Sequence, residues 1–79
     1  MDWVVYILEC ADGSLYTGIT NDLAARMAAH EAGSGAKYTR GRGPFVLRYR
    51  EDCADRSTAS KREVEIKRMK REAKLALLF

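Results

Sequence analysis

The chain has 79 residues, 47% of them hydrophobic and 32% charged, with one proline and a formal net charge of +3. A chain of this size hides only about 60–65% of the surface its unfolded form exposes, which predicts one small domain over residues 1–79 and excludes a disordered chain. No apolar run reaches the roughly 18 residues of a membrane-spanning helix, so no membrane role is expected, and Met1-Asp2-Trp3 lacks the basic opening of a secretory signal.

Trp3-Val4-Val5-Tyr6-Ile7-Leu8 is β-branched and aromatic and predicts a strand, with Ser14 to Ile19 as its partner. Asp12-Gly13 marks the hairpin between them. A two-residue loop would put Tyr6 and Tyr16 on opposite faces. A three-residue loop, Ala11-Asp12-Gly13 with Gly13 left-handed, sets Leu8 opposite Tyr16 and Tyr6 opposite Gly18. Both phenols then share a face as diagonal neighbours, roughly 7–8 Å apart at the backbone. The three-residue loop is preferred because its last position calls for glycine.

Thr20 or Asn21 can cap a helix beginning at Asp22. Leu23, Met27 and His30 follow on one face, with Arg26 beside them, and Gly33 stops the helix. The stretch 33–44 holds four glycines and the proline and reads as a loop. Phe45 to Arg50 predicts a third strand that alternates only roughly. Asp55 or Ser57 caps a second helix running to about Lys70, and the apolar tail from Ala73 to Phe79 should be helical and pack back, as a continuation of that helix or as a third one. Val4, Tyr6 and Leu8 on one sheet face, and Val5, Ile7, Leu15 and Ile19 on the other, are all apolar in body. The expected architecture is therefore α+β, a three-stranded, mostly antiparallel sheet sandwiched by helices.

Charge is unevenly placed. Residues 1–30 carry four acids against one Arg, 31–50 five bases against one acid, and 51–79 eight bases against six acids. A basic middle in a near-balanced chain points to a local anion-binding surface, or to a solvated face. Lys37, Tyr38, Arg40 and Arg42 mix cations with an aromatic there, so phosphates and an unpaired base are fitting ligands. The alternative is a basic loop with Tyr38 packed into the core. Cys10 and Cys53 stand alone, without metal-ligand spacing, and are expected to be reduced, partly buried thiols of a cytoplasmic protein.

Five further residues carry chemistry. In the second helix Ala59, Ile66, Ala73 and Leu77 define an inward stripe, and Glu63, four residues after Ala59, falls inside it. A carboxylate so placed needs an Arg, a metal or a phenol, or pairs at the edge with Lys67. Arg26 and His30 lie four residues apart on the face that packs on the sheet. With Tyr6 and Tyr16 they converge on one sheet face, a kit suited to phosphodiester cleavage. A phenol acts as a base only when a nearby cation favours its anion, and Arg26 or a metal could supply that charge.

Val4-Val5-Tyr6, Tyr16-Thr17-Gly18, Arg26, His30 and Glu63 at these spacings resemble the GIY-YIG nuclease superfamily over nearly the whole chain. The stretch Gly35-Ala36-Lys37-Tyr38-Thr39-Arg40 resembles its small stand-alone bacterial branch. The resemblance implies catalytic roles for Tyr6, Tyr16, Arg26, His30 and Glu63, with Glu63 holding Mg²⁺ or Mn²⁺. The function it implies is a metal-dependent endonuclease acting on DNA at branched, flapped or single-stranded features, with DNA repair a fitting context and RNA open as a substrate. The alternative is a nucleic-acid-binding module of the same fold with weak or no catalysis.

Overall fold

The computed structural model describes residues 2–78. Strands β1 (Trp3–Glu9), β2 (Leu15–Thr20) and β3 (Val46–Cys53) form a sheet in the order β2-β1-β3. Both pairings are antiparallel, so the sheet is wholly rather than mostly antiparallel. Helix α1 (Leu23–Glu31) follows the hairpin, and α2 (Arg56–Arg68) and α3 (Arg71–Leu77) follow β3.

The hairpin has the three-residue loop. Cys10 N donates to Ser14 O at 2.8 Å, Gly13 N donates to Cys10 O at 2.9 Å, and Gly13 has φ +84°. The register follows: Tyr6 pairs with Gly18 and Leu8 with Tyr16. Asp12 Oδ1 fastens the tip by accepting from Ser14 N at 3.0 Å and Ser14 Oγ at 2.6 Å.

The third strand runs three residues past the expected Arg50. Glu51, Asp52 and Cys53 pair with Val5, Val4 and Trp3, so the partner strand overrides a locally charged sequence. The register slips between Ile7↔Tyr49 and Leu8↔Leu47, leaving Arg48 as the extra residue of a bulge, which explains why alternation along this strand was only approximate.

The two faces of the sheet have different chemistry. Val5 and Ile7 of β1 pack with Cys53, Ala59 and Ile66, and with Trp3, Leu15, Ile19, Tyr49, Met69, Leu77 and Leu78 around them. This is the apolar core, and α2 and α3 cover it. Tyr49 and Arg62 both bond Glu51, at 2.5 and 3.0 Å, which fastens α2 to β3. The opposite face presents Val4, Tyr6 and Leu8, and α1 lays His30 over it. The helices therefore sandwich the sheet.

Three local expectations shift. The cap of α1 is Asp22 itself, whose Oδ1 accepts from Ala25 N at 3.1 Å, while Thr20 Oγ1 accepts from Asp22 N at 3.0 Å. Between residues 33 and 44 the chain is not all irregular, because Lys37–Thr39 form a 3₁₀ turn. The stripe through Ala73 fails: Met69 and Lys70 are extended, with ψ 147° and 157°, so α2 ends and α3 starts in a new phase with Ala73 exposed. Met69 turns inward at the break instead. Of the expected tail, Phe79 lies outside the described residues. Both cysteines are free and fully rather than partly buried. Among the described residues no helix is long and apolar enough to cross a membrane.

Candidate active site

Three elements converge on the face that β1 shares with α1. The end of α1 is closed by Gly33 at φ +79°, with Gly33 N donating to His30 O at 3.1 Å and Ser34 N to Ala29 O at 2.9 Å. This paired closure fixes the last turn, and with it His30. The 3₁₀ turn then brings Thr39 against the same imidazole.

Tyr6, His30 and Thr39 are essentially inaccessible, at 0%, 1% and 1% exposure. Tyr6 Oη lies 2.9 Å from His30 Nε2, His30 Nδ1 lies 2.8 Å from Thr39 Oγ1, and Thr39 Oγ1 donates to Ala36 O at 2.9 Å. Counting protons sets the directions around Thr39. The hydroxyl of Thr39 has one hydrogen, and the Ala36 carbonyl takes it. Thr39 Oγ1 must therefore accept from Nδ1–H, and in the neutral imidazole Nε2 is then the lone pair to which Tyr6 donates. The surroundings of His30 favour its neutral form. Burial, and then the charge of Arg26, hold its pKa below the ordinary 6.5. Burial likewise pushes Tyr6 up to about 12, against the opposing pull of Arg26.

Tyr16 has a different environment. It is only partly buried, and its ring stacks on Tyr38 with centroids 5.9 Å apart and planes 25° apart. Its other neighbours are Tyr6 at 6.3 Å and the edge of His30 at 5.3 Å. Arg26 stands by both phenols: its pKa is raised, first by Tyr6 and then with Tyr16 contributing. Glu63 reaches the same locus electrostatically, since its charge helps raise Tyr6. Its side chain is 22% exposed, with the carboxylate 3.4 Å from Lys67 Nζ. The edge ion pair with Lys67 is formed, and the charge of Glu63 is also felt at Tyr6.

Among the described residues no three His, Cys, Asp or Glu side chains gather into a metal cage. A single partly exposed carboxylate fits Mg²⁺ or Mn²⁺, which commonly bind through one or two carboxylates and keep several waters. It does not fit a closed zinc site.

In the basic stretch, Lys37 and Arg40 are exposed. Arg42 lies with its guanidinium carbon 4.5 Å from the centroid of the Tyr38 ring and bonds Asp12 at 2.5 Å. Tyr38 is 44% exposed rather than packed in the core.

Three residues of the site carry no functional group that draws attention in sequence, or draw it for other reasons. A Cβ on Gly18 would sit 2.6 Å from Tyr6 Oη, and one on Gly35 would sit 2.5 Å from His30 Nδ1. Each glycine lets a ring lie directly on backbone. Thr39 gives its signal only once the turn places it beside His30.

Two phenols of unlike environment on the sheet, with an arginine and a buried histidine of α1 against them, make this face the candidate site. Residues 2–76 match the GIY-YIG catalytic domain, and the chain belongs to that family. Its close relatives are UPF0213 proteins. That of Desulfotalea psychrophila is 53% identical over 96% of this chain and 70% of its own length, and that of Halobacterium salinarum 52% identical over 92% and 95%. The solution NMR structure of the UPF0213 protein BH0048 from Bacillus halodurans superposes with a TM-score of 0.62 at 48% identity, covering 98% of this chain and 82% of that one. Protein EF2693 from E. faecalis gives a TM-score of 0.66 at 37% identity, covering 94% and 79%. Membership makes this a nuclease-type domain with nucleic acid as its class of substrate, in a family that generally uses divalent metal ions.

Proposed function

We propose that residues 1–79 act as one domain, a cytoplasmic, metal-dependent endonuclease that hydrolyses DNA at branched, flapped or single-stranded features. The observation that carries this reading is the asymmetry of the two phenols. Tyr6 is committed as a proton donor to His30, whereas Tyr16 faces the solvent side beside Arg26. Tyr16 is then the general base that takes a proton from the attacking water. Tyr6 and His30 hold the phenol pair and Arg26 in place, and Arg26 stabilises charge developing on the phosphate. Glu63 would hold Mg²⁺ or Mn²⁺. When bound, such an ion supplies Lewis-acid stabilisation to the phosphate and the leaving oxygen. Lys37 and Arg40 contact backbone phosphates, and Tyr38, steadied by Arg42, borders the strand.

A second reading, a binding module without catalysis, is favoured by one observation: Lys67 already neutralises Glu63 at 3.4 Å. Cleavage assays with and without Mg²⁺ or Mn²⁺ separate the two. Wild type, Glu63→Gln and Tyr16→Phe are compared on single-stranded, flapped and junction DNA, with RNA alongside. Metal-dependent cleavage lost in both variants, with DNA binding retained, supports the nuclease. Binding without cleavage in the wild type supports the module.

A further inference from the structure

An open cleft of about 270 Å³ is lined by Leu15, Tyr16 and Thr17 of β2, Tyr38 of the 3₁₀ turn, Lys67 of α2 and Lys74 of α3. Successive residues of a strand point to opposite faces, so three in a row can line one cleft only along the strand's outer edge. β2 is an edge strand, paired with β1 alone. The cleft thus wraps the free side of the sheet and joins the catalytic face, through Tyr16 and Tyr38, to the helices of the core face.

Its lining has aromatic and apolar walls, two ammonium groups and no carboxylate. That composition suits a nucleotide unit, with sugar and base against the walls and a phosphate between the lysines. Its volume lies near the lower end of ligand sites, about 300–1,000 Å³, and its openness suits a strand passing through. Lys74 has no ion-pair partner among the described residues. Lys67 is 54% exposed and pairs with Glu63 four residues earlier on the same helix.

We propose that this cleft binds the substrate-strand phosphate next to the scissile one, with Lys67 and Lys74 as its ligands, and that Lys67 alternates between Glu63 and that phosphate. The inference rests on the nuclease reading of Tyr16 and Glu63 and extends it. In the free protein the Lys67 ammonium balances Glu63. A divalent cation at Glu63 replaces that balance and releases Lys67 to the phosphate. Metal and strand then favour each other's binding, and the coupling is reciprocal.

The test compares wild type, Lys67→Met and Lys74→Met, in which methionine keeps an apolar stem without the charge. Affinity for a single-stranded oligonucleotide is measured in EDTA by fluorescence anisotropy. Affinity for Mn²⁺ is measured by electron paramagnetic resonance, alone and with deoxythymidine 3′,5′-bisphosphate, which has no phosphodiester to cut. In EDTA Lys74→Met should bind the oligonucleotide several-fold more weakly and flatten the log K against log salt slope by about 0.7, and Lys67→Met should weaken binding by less, because without metal Glu63 still competes for its ammonium. Lys67→Met should bind Mn²⁺ several-fold more tightly than wild type and lose the enhancement by the bisphosphate, while Lys74→Met keeps wild-type Mn²⁺ affinity without the nucleotide. Oligonucleotide and Mn²⁺ affinities unchanged in Lys67→Met would overturn the proposal. Failure of the nuclease reading has another signature, unchanged Mn²⁺ affinity in Glu63→Gln, and leaves the anisotropy result standing.

Discussion

Replacing Thr39 with Val keeps the shape of the side chain and deletes the hydroxyl that orders the Tyr6–His30 chain. The imidazole Nδ1–H, at 1% residue exposure, then has no acceptor 2.8 Å away, and the Ala36 carbonyl loses a donor. Stranding a buried donor costs about 1–3 kcal/mol. A loss of about 2 kcal/mol lowers the melting midpoint of a domain of this size by about 8–16 °C. Total stability for such a chain is about 4–12 kcal/mol, so the variant still folds. Without that acceptor the Nε2–H tautomer becomes competitive, and it would donate to Tyr6 rather than accept from it. Long-range ¹H–¹⁵N correlation spectra should report the Nδ1–H tautomer in wild type and a mixture in Thr39→Val. Cleavage should fall about tenfold or more, the equivalent of about 1.4 kcal/mol in the barrier. A wild-type imidazole protonated on Nε2 near neutral pH would refute the assignment, as would unaltered stability and tautomer in the variant.

Gly18→Ala should cost about 1–3 kcal/mol in denaturant melts and abolish cleavage, because its Cβ would lie 2.6 Å from a Tyr6 hydroxyl that has no room to move; an active, equally stable variant would contradict the packing. Stability should be flat with pH above the unfolded imidazole value of 6.5 and decline below it, since His30 is depressed when folded and the unfolded chain binds the proton first. Urea melts from about pH 4.5 to 8 check this, and a profile with no loss below neutrality would show that His30 is not held neutral. Lys37→Ala and Arg40→Ala should weaken binding across all sequences and flatten the salt slope by about 0.7–0.9 each. Arg42→Ala should act less on that slope because Asp12 already balances its charge. Tyr38→Ala should harm single-stranded and flapped DNA more than intact duplex, and identical losses on both would remove any stacking role.

Most of the scaffold was legible because its determinants are local. The alternation from Trp3 to Leu8, a glycine suited to the third loop position and the glycine that stops α1 each act over a few residues, and the first two set Tyr6 and Tyr16 on one face. What sequence could not supply was decided by partners distant in the chain. β3 reaches Cys53 because β1 offers Trp3 to Val5 as partners, and Arg48 bulges to keep both halves in register. The break at Met69-Lys70 has no glycine or proline to announce it, so the stripe through Ala73 was drawn along a helix that ends first. In the site, polar tips were recognisable as chemistry, and so was the ambiguity of Glu63. Gly18, Gly35 and Thr39 were not, because a missing Cβ or a single hydroxyl acquires meaning only against the ring that rests on it.

The hairpin tip has a consequence for how this chain can change. Tips of exposed loops are ordinarily where insertions and deletions are best tolerated. Here Ala11-Asp12-Gly13 sets the phase of everything in β2. Removing one residue while β1 keeps its place would turn Tyr16 toward the helices of the apolar core and carry Leu15 and Thr17 to the side of His30, exchanging chemistry for packing at a stroke. Residue identity at Ala11 is nearly free, while residue number is not. In a family alignment this tip should vary in sequence yet hold its length, and loop grafts should succeed only when they are length-matched and keep glycine last.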